Sequence, residues 1–312
     1  MVSVFFLSSC QKDTDIFIPT TTTGADTVLV SNITDASLVS TLKVALAKEV
    51  SVDSLDASAG ATILTRDGIT IIVPPQSVAL PNGSVATGKI FAETILIKQK
   101  GDMILMDKPT ISSGRVLVCG AEIFVRLRNE TQELSLLPGK TVYIKIADTN
   151  PSSSMKVFHG DESNKERFNW LLSSDGINYN SQSGYGYEIS SSSLRWISYQ
   201  YFADTSANRV SVVASLPADY TNANTAVYLV FKESKSVVGM YGDATSRKFT
   251  SPKVPVGKTA IVVSITKKGN NSYYFAHESV TIGATLNNGA QIVPLSPQPT
   301  GLNDIRAYLA TL

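Results

Sequence analysis

The sequence predicts a mostly β protein: two tandem antiparallel β-sandwich domains followed by a short C-terminal helix. Three observations carry this. Short runs of alternating apolar and polar residues, separated by turn signals, recur from residue 61 to residue 295, which is the pattern of a sandwich. A turn-to-strand unit occurs twice, Pro138-Gly139-Lys140-Thr141 before Val142-Tyr143-Ile144 and Pro255-Val256-Gly257-Lys258-Thr259 before Ala260-Ile261-Val262. Finally, 312 residues with 43% hydrophobic and 17% charged content can fill two cores, at roughly 150 residues per domain.

The elements follow in chain order. Residues 1–10 are an apolar run closing on Leu7-Ser8-Ser9-Cys10, directly before the polar Gln11-Lys12-Asp13-Thr14-Asp15. This resembles the end of a bacterial lipoprotein signal, with Cys10 as the lipidated residue. Met1 to Leu7 contain no Lys or Arg, so the basic part of such a signal is expected upstream. Residues 11–34 are Thr-rich and too poor in apolar side chains to pack, and read as a flexible spacer. In residues 37–50, Leu38, Leu42, Leu46 and Val50 fit helical spacing while Leu42, Val44 and Leu46 also alternate; helix is preferred. Residues 35–150 are the first expected domain. Its strands are residues 61–64, 68–73 and 88–97, then 114–127 and 142–146. Pro74-Pro75 ends the second of these, and Asn82-Gly83 marks a turn.

Pro151-Ser152-Ser153-Ser154 is the expected interior boundary. Residues 151–296 form the second expected domain, beginning with aromatic-rich strands around Trp170, Gly184-Tyr185-Gly186-Tyr187 and residues 194–202. Regular short strands follow at residues 210–215, 226–232, 236–241, 259–266, 273–280 and 290–295. Residues 297–312 end the chain in an amphipathic helix, with Leu302, Ile305, Leu309 and Leu312 at helical spacing.

Two stretches carry family resemblances. Gly68-Ile69-Thr70-Ile71-Ile72-Val73-Pro74-Pro75-Gln76-Ser77-Val78 resembles the opening of a ZU5-like β-sandwich, although Gln76-Ser77 stand where that family usually has Gly-Ala. The resemblance implies an Ig-like or ZU5-like sandwich and a role in contact. Leu194-Arg195-Trp196-Ile197-Ser198-Tyr199-Gln200-Tyr201-Phe202, with Leu216-Pro217-Ala218-Asp219-Tyr220 and Val254-Pro255-Val256-Gly257-Lys258, is similar to a group of Bacteroidetes surface lipoproteins. Those proteins show Asn-Cys-Asp where this chain has Ser198-Tyr199-Gln200. The resemblance implies an outer-membrane, cell-surface location and brings no activity with it.

Chemistry is narrowed chiefly by exclusion. A formal net charge of +1 gives no global attraction to nucleic acid. Each Gly-Lys-Thr lacks the upstream glycine of a phosphate-binding loop and leads into a strand, so nucleotide binding is rejected. Two histidines far apart and no Cys pair offer no metal-ligand spacing, and no cofactor is expected. Cys119, in a strand-like run, reads as a small buried hydrophobe, and Trp170 and Trp196 as core residues. Binding is instead expected on exposed aromatics: Tyr185 and Tyr187, flanked by glycines, with Tyr199 and Tyr201. The expectation is a non-enzymatic binding or structural module, joined to the membrane through its N-terminal lipid and meeting a glycan or an envelope protein. The alternatives are an accessory lipoprotein of an envelope transport or secretion assembly, and a hydrolase with a cryptic site.

Overall fold

Local sequence explains the first element. Ser37 caps a helix, its hydroxyl accepting from the Ser40 amide at 3.4 Å, and α1 (Leu38–Leu46) then buries Val39, Leu42 and Leu46 on one face. Val44, which a strand would have turned the same way as Leu42 and Leu46, is 79% exposed. A computed structural model describes residues 33–164, 167–180, 186–203, 208–243, 248–269 and 271–312. Residues 1–32, and with them Cys10 and nearly all of the expected spacer, lie outside the described residues. Two further helices are α2 (Lys100–Leu105), which the sequence did not signal, and α3 (Leu302–Leu309), the expected short C-terminal one, which buries Ile305 and Leu309. Among the described residues no helix is long and apolar enough to cross a membrane.

The rest is mostly β. A seven-stranded antiparallel sheet runs in the order Ser51–Asp56, Lys89–Ile97, Arg115–Arg128, Arg195–Phe202, Lys156–Asp161, Asn169–Leu172, with Ile111–Ser112 paired to Arg115–Arg128. A five-stranded antiparallel sheet runs Gly176–Asn180, Gly186–Ser191, Val142–Ile146, Ile69–Val73, Ala61–Leu64. A nine-stranded sheet begins at Val254–Pro255 and passes through Arg209–Ser215, Lys248–Thr250, Val237–Asp243 and Thr225–Phe231 to Thr259–Lys268, Ser272–Thr281 and Gln298–Thr300. Its ninth strand, Ala290–Pro294, lies parallel to Arg209–Ser215, where only antiparallel pairing was expected. Val78–Ala79 and Ser135–Leu136 form a small separate pair. The two turns of the repeated unit both place glycine in the left-handed region, Gly139 at φ 75° and Gly257 at φ 83°, immediately before the Val142–Ile146 and Thr259–Lys268 strands.

The expected division at 150/151 is crossed by the sheets. Gly186–Ser191 pairs with Val142–Ile146, and Arg195–Phe202 with Arg115–Arg128, so the strands between residues 156 and 202 complete sheets begun by residues 51–146. The expected boundary Pro151-Ser152-Ser153-Ser154 is a turn inside this unit; period-two patterning reports faces and not partners, so the pairing across it is not visible in the sequence.

Three cores result. One is filled by alternate residues of the five-stranded and seven-stranded sheets, among them Ile69, Ile71, Ile144, Ile189, Ile123, Val125 and Ile197. A second lies on the other face of the seven-stranded sheet. There Ile97, Phe124, Phe158, Trp170 and Trp196 meet Leu42 of α1, Met103 of α2, Leu309 of α3, and Val230, Val263 and Ile265 of the nine-stranded sheet. The third is enclosed by the nine-stranded sheet, around Leu229, Val238 and Val262. Trp170 and Trp196 are both buried in the second, each fully buried large apolar side chain contributing about 1.5–3 kcal/mol. Backbone bonds join the layers as well: Thr110 N–H to Val237 O at 2.7 Å and Cys119 N–H to Lys235 O at 3.0 Å.

Glu122 projects into the second core. It is completely buried, neither carboxyl oxygen finds a hydrogen-bond partner among the described residues, and burial pushes its ionisation well above the usual carboxylate range. The folded chain therefore holds a proton that the unfolded chain releases above about pH 4.3. This group's contribution is fully present below that pH and falls as pH rises, by about 1.4 kcal/mol per unit, until Glu122 itself ionises. Glu122→Gln is predicted to remove that decline and to be the more stable form at about pH 8. Urea unfolding midpoints of both proteins between about pH 5 and pH 8 measure it; parallel profiles would show that Glu122 is ionised in the fold.

Candidate functional site

The face of the Arg195–Phe202 strand that carries Ile197 and Tyr199 leads from a core to the surface. Ile197 and Tyr199 belong to the first core, and Tyr201, next on the same face by the two-residue period, is half-buried. Tyr187 packs on Tyr199 with ring centroids 4.5 Å apart. The expectation that Tyr187 is exposed is thus corrected: it is 2% exposed. Its strand is paired on both sides, to Gly176–Asn180 and Val142–Ile146, and its core face carries Tyr187 with Ile189. Tyr199 is equally buried, with its ionisation pushed up by burial. Tyr185 and Cys10 lie outside the described residues.

Two clefts flank this face. The Tyr199 ring lines one of about 300 Å³ with Lys98, Gly120, Ala147, Asp148, Thr149 and Lys235. Tyr201, directly opposite Val118 on the neighbouring strand, lines another of about 290 Å³. Its walls are Val116, Val118, Ala203, Phe231 and Pro255, and its polar groups are Glu233, Ser234 and Lys258. The loop of residues 233–236 stands between the clefts. Lys235 Nζ donates to Gly120 O at 3.0 Å and Ser236 Oγ to Leu117 O at 2.7 Å, fixing the loop to the strand. The register shifts between Tyr199 and Gln200 because the partner strand carries one extra residue there, Gly120, between Ala121 and Cys119.

A phenol set in an apolar wall with a charged rim suits the flat face of a sugar ring or a partner's side chain. Of the four tyrosines named from sequence, Tyr199 and Tyr201 line clefts. Phe231, Glu233, Lys235 and Lys258 were missed: they come from the other sheet, more than a hundred residues after Val116 and Val118, and no local pattern announces such a meeting.

Catalytic arrangements fare differently. His159 Nε2 lies 2.8 Å from Asp175 Oδ2 and 3.2 Å from Ser191 Oγ, a cluster that sequence spacing did not reveal. A Ser-His-acid relay needs the acid on one imidazole nitrogen and the hydroxyl on the other. Here both contacts use one nitrogen, Ser191 is completely buried and donates to Ser193 O, and Asp175 is bonded to the Ser192 amide and hydroxyl. The cluster braces the turn between strands. Cys119 is buried, and burial, with Glu122 nearby, pushes its thiol well up, away from the reactive thiolate. Among the described residues no three His, Cys, Asp or Glu side chains gather as a metal site.

The cleft depends on a residue without a side chain. A Cβ at Gly120 would overlap the ring of Tyr199. Gly120→Ala is predicted to destabilise the protein by about 1–3 kcal/mol in urea unfolding, and to add little to Tyr199→Ala, since the second change removes the clash. Additive losses would mean that the ring does not hold this position. No protein-family model, curated protein or solved structure matches this chain.

Proposed function

We propose that this protein is a non-enzymatic binding module of a bacterial cell envelope, held to the outer membrane by a lipid on Cys10 and meeting a glycan or a protein partner at the surface through the Tyr201 cleft. The observation that carries the reading is that cleft: a half-buried tyrosine in a wall of Val116, Val118, Phe231 and Pro255, edged by Glu233, Ser234 and Lys258. Its backing is rigid, because Tyr201 continues the face on which Tyr199 and Tyr187 are packed. The single-nitrogen contacts of His159 and the buried Cys119 favour binding over bond-breaking. The finer fold reading belongs here too: the five- and seven-stranded sheets as one sandwich and the curled nine-stranded sheet as a second, an Ig-like or ZU5-like pair in tandem.

Tyr201→Ala is predicted to weaken binding by about tenfold or more, as loss of a central aromatic contact does, while leaving the thermal midpoint nearly unchanged. A glycan array and crosslinking on intact cells, each run with the native and the variant protein, give the readout. Binding indifferent to Tyr201 would overturn the cleft. Palmitate labelling that fails to mark Cys10 would overturn the anchor.

A further inference from the structure

A third cavity, of about 210 Å³, lies where α1 meets the Thr225–Phe231 and Val237–Asp243 strands of the nine-stranded sheet, and its chemistry differs from that of the Tyr201 cleft. One wall is apolar, made by Val227, Met240 and Phe249. Against it stand Lys43 and Asp107, ion-paired at 2.6 Å, and the Tyr228 hydroxyl, which donates to Asp107 at 2.7 Å. Lys43 and Asp107 cancel one another, and Asp35 at the rim has an interaction of its own.

Arg167 is different. Its guanidinium is exposed, sits 5.0 Å from the centre of the Tyr241 ring, and forms no ion pair among the described residues. The Tyr241 hydroxyl likewise has no hydrogen-bond partner among the described residues. Burial raises its ionisation, with Asp107 nearby adding to the effect, so at neutral pH it is a neutral donor. Tyr241 leans over Gly239, where a Cβ would come within 2.9 Å of its hydroxyl oxygen. Among the described residues, the cavity thus presents one guanidinium without an ion pair and one hydroxyl donor without an acceptor beside an apolar wall.

We propose that this cavity is a binding site for a small organic carboxylate. The carboxylate takes the paired N–H groups of Arg167 and the Tyr241 hydroxyl, and the organic body lies on Val227, Met240 and Phe249. A guanidinium presents two parallel donors that match a carboxylate. The lining cations Lys43 and Arg167 are balanced by Asp107 and Asp35, a setting that favours a monoanion on Arg167 over a dianionic phosphate. The site is independent of the Tyr201 cleft and stands or falls separately.

The test is calorimetric titration of the full chain with phenylacetate, hexanoate and glucuronate, each beside its uncharged amide. At least one acid is expected to bind with a Kd near or below about 1 mM, and its amide about tenfold or more weaker. Arg167→Gln is expected to lose about tenfold or more, Arg167→Lys to fall between, and Tyr241→Phe to weaken binding severalfold, with thermal midpoints confirming that each variant is folded. Tyr201→Ala is expected to bind the acid as the native chain does. Equal binding of acid and amide, an unchanged affinity in folded Arg167→Gln, or no binding of any of the three acids at about ten times that Kd overturns the proposal.

Discussion

The centre of the seven-stranded sheet is buried on both faces, and the rest of the molecule is arranged to satisfy that constraint. A sheet wetted on one side alternates apolar with polar residues; one covered on both sides becomes apolar throughout. The Arg115–Arg128 strand shows this directly, with nearly every side chain from Val116 to Val125 out of solvent. Neither cover suffices by itself. The five-stranded sheet takes one face, while the three helices and the nine-stranded sheet together take the other. At fourteen residues, roughly 45 Å at strand rise, the central strand is long enough to contact both layers along its length.

Where the cover ends, the chemistry changes at once. Phe124 is still buried, but Arg126 and Arg128, next on the same face, reach solvent and share the carboxylate of Glu93. Burial alone would raise Glu93; the two guanidiniums, Arg128 first, hold it below its usual range. A similar seal forms over the aromatic cluster. Lys108 lies 4.3 Å from the Phe168 ring centre and 5.0 Å from that of Trp196, and pairs with Glu162, which also receives Arg195 and the Trp196 indole. Exposed pairs of this sort contribute little each. Their effect is to keep water off the ring edges beneath them.

Legibility of the sequence divides along the same lines. The six later strands expected from sequence lie within a residue or two of those observed, because segments such as Thr259–Lys268 and Ser272–Thr281 pair with their chain neighbour across a short turn. The short strands Lys248–Thr250 and Val254–Pro255, by contrast, were not signalled, and Gln298–Thr300 falls in the segment expected as helix. The nature of α1 was readable from Leu38, Leu42 and Leu46. Partnership was not. The pairing of Arg195–Phe202 with Arg115–Arg128 spans some seventy residues, and the Pro151 turn between them looks the same whether it divides two domains or lies within one. The exposure of Tyr187 was misread for a related reason: flanking glycines report local turn chemistry, whereas burial was decided by the strands on either side. Likewise Arg126 and Arg128 reach solvent, while Phe124, two residues before Arg126 on that face, is covered by elements far away in sequence.

Both cavities with binding chemistry lie at seams between layers. The Tyr201 cleft takes Val116 and Val118 from the seven-stranded sheet, and Phe231, Pro255 and Lys258 from the nine-stranded sheet and its loops. The carboxylate cavity takes Lys43 from α1, Asp107 from the end of α2 and Tyr241 from the nine-stranded sheet. Such sites exist only while the layers are docked, so any ligand that occupies one stabilises the docked arrangement in proportion to its affinity. The dependence runs in the other direction as well. Changes that loosen the buried layer around Trp170, Phe158 and Glu122 would alter how much of the protein has its seams closed, and so the proposed binding at clefts those residues do not line.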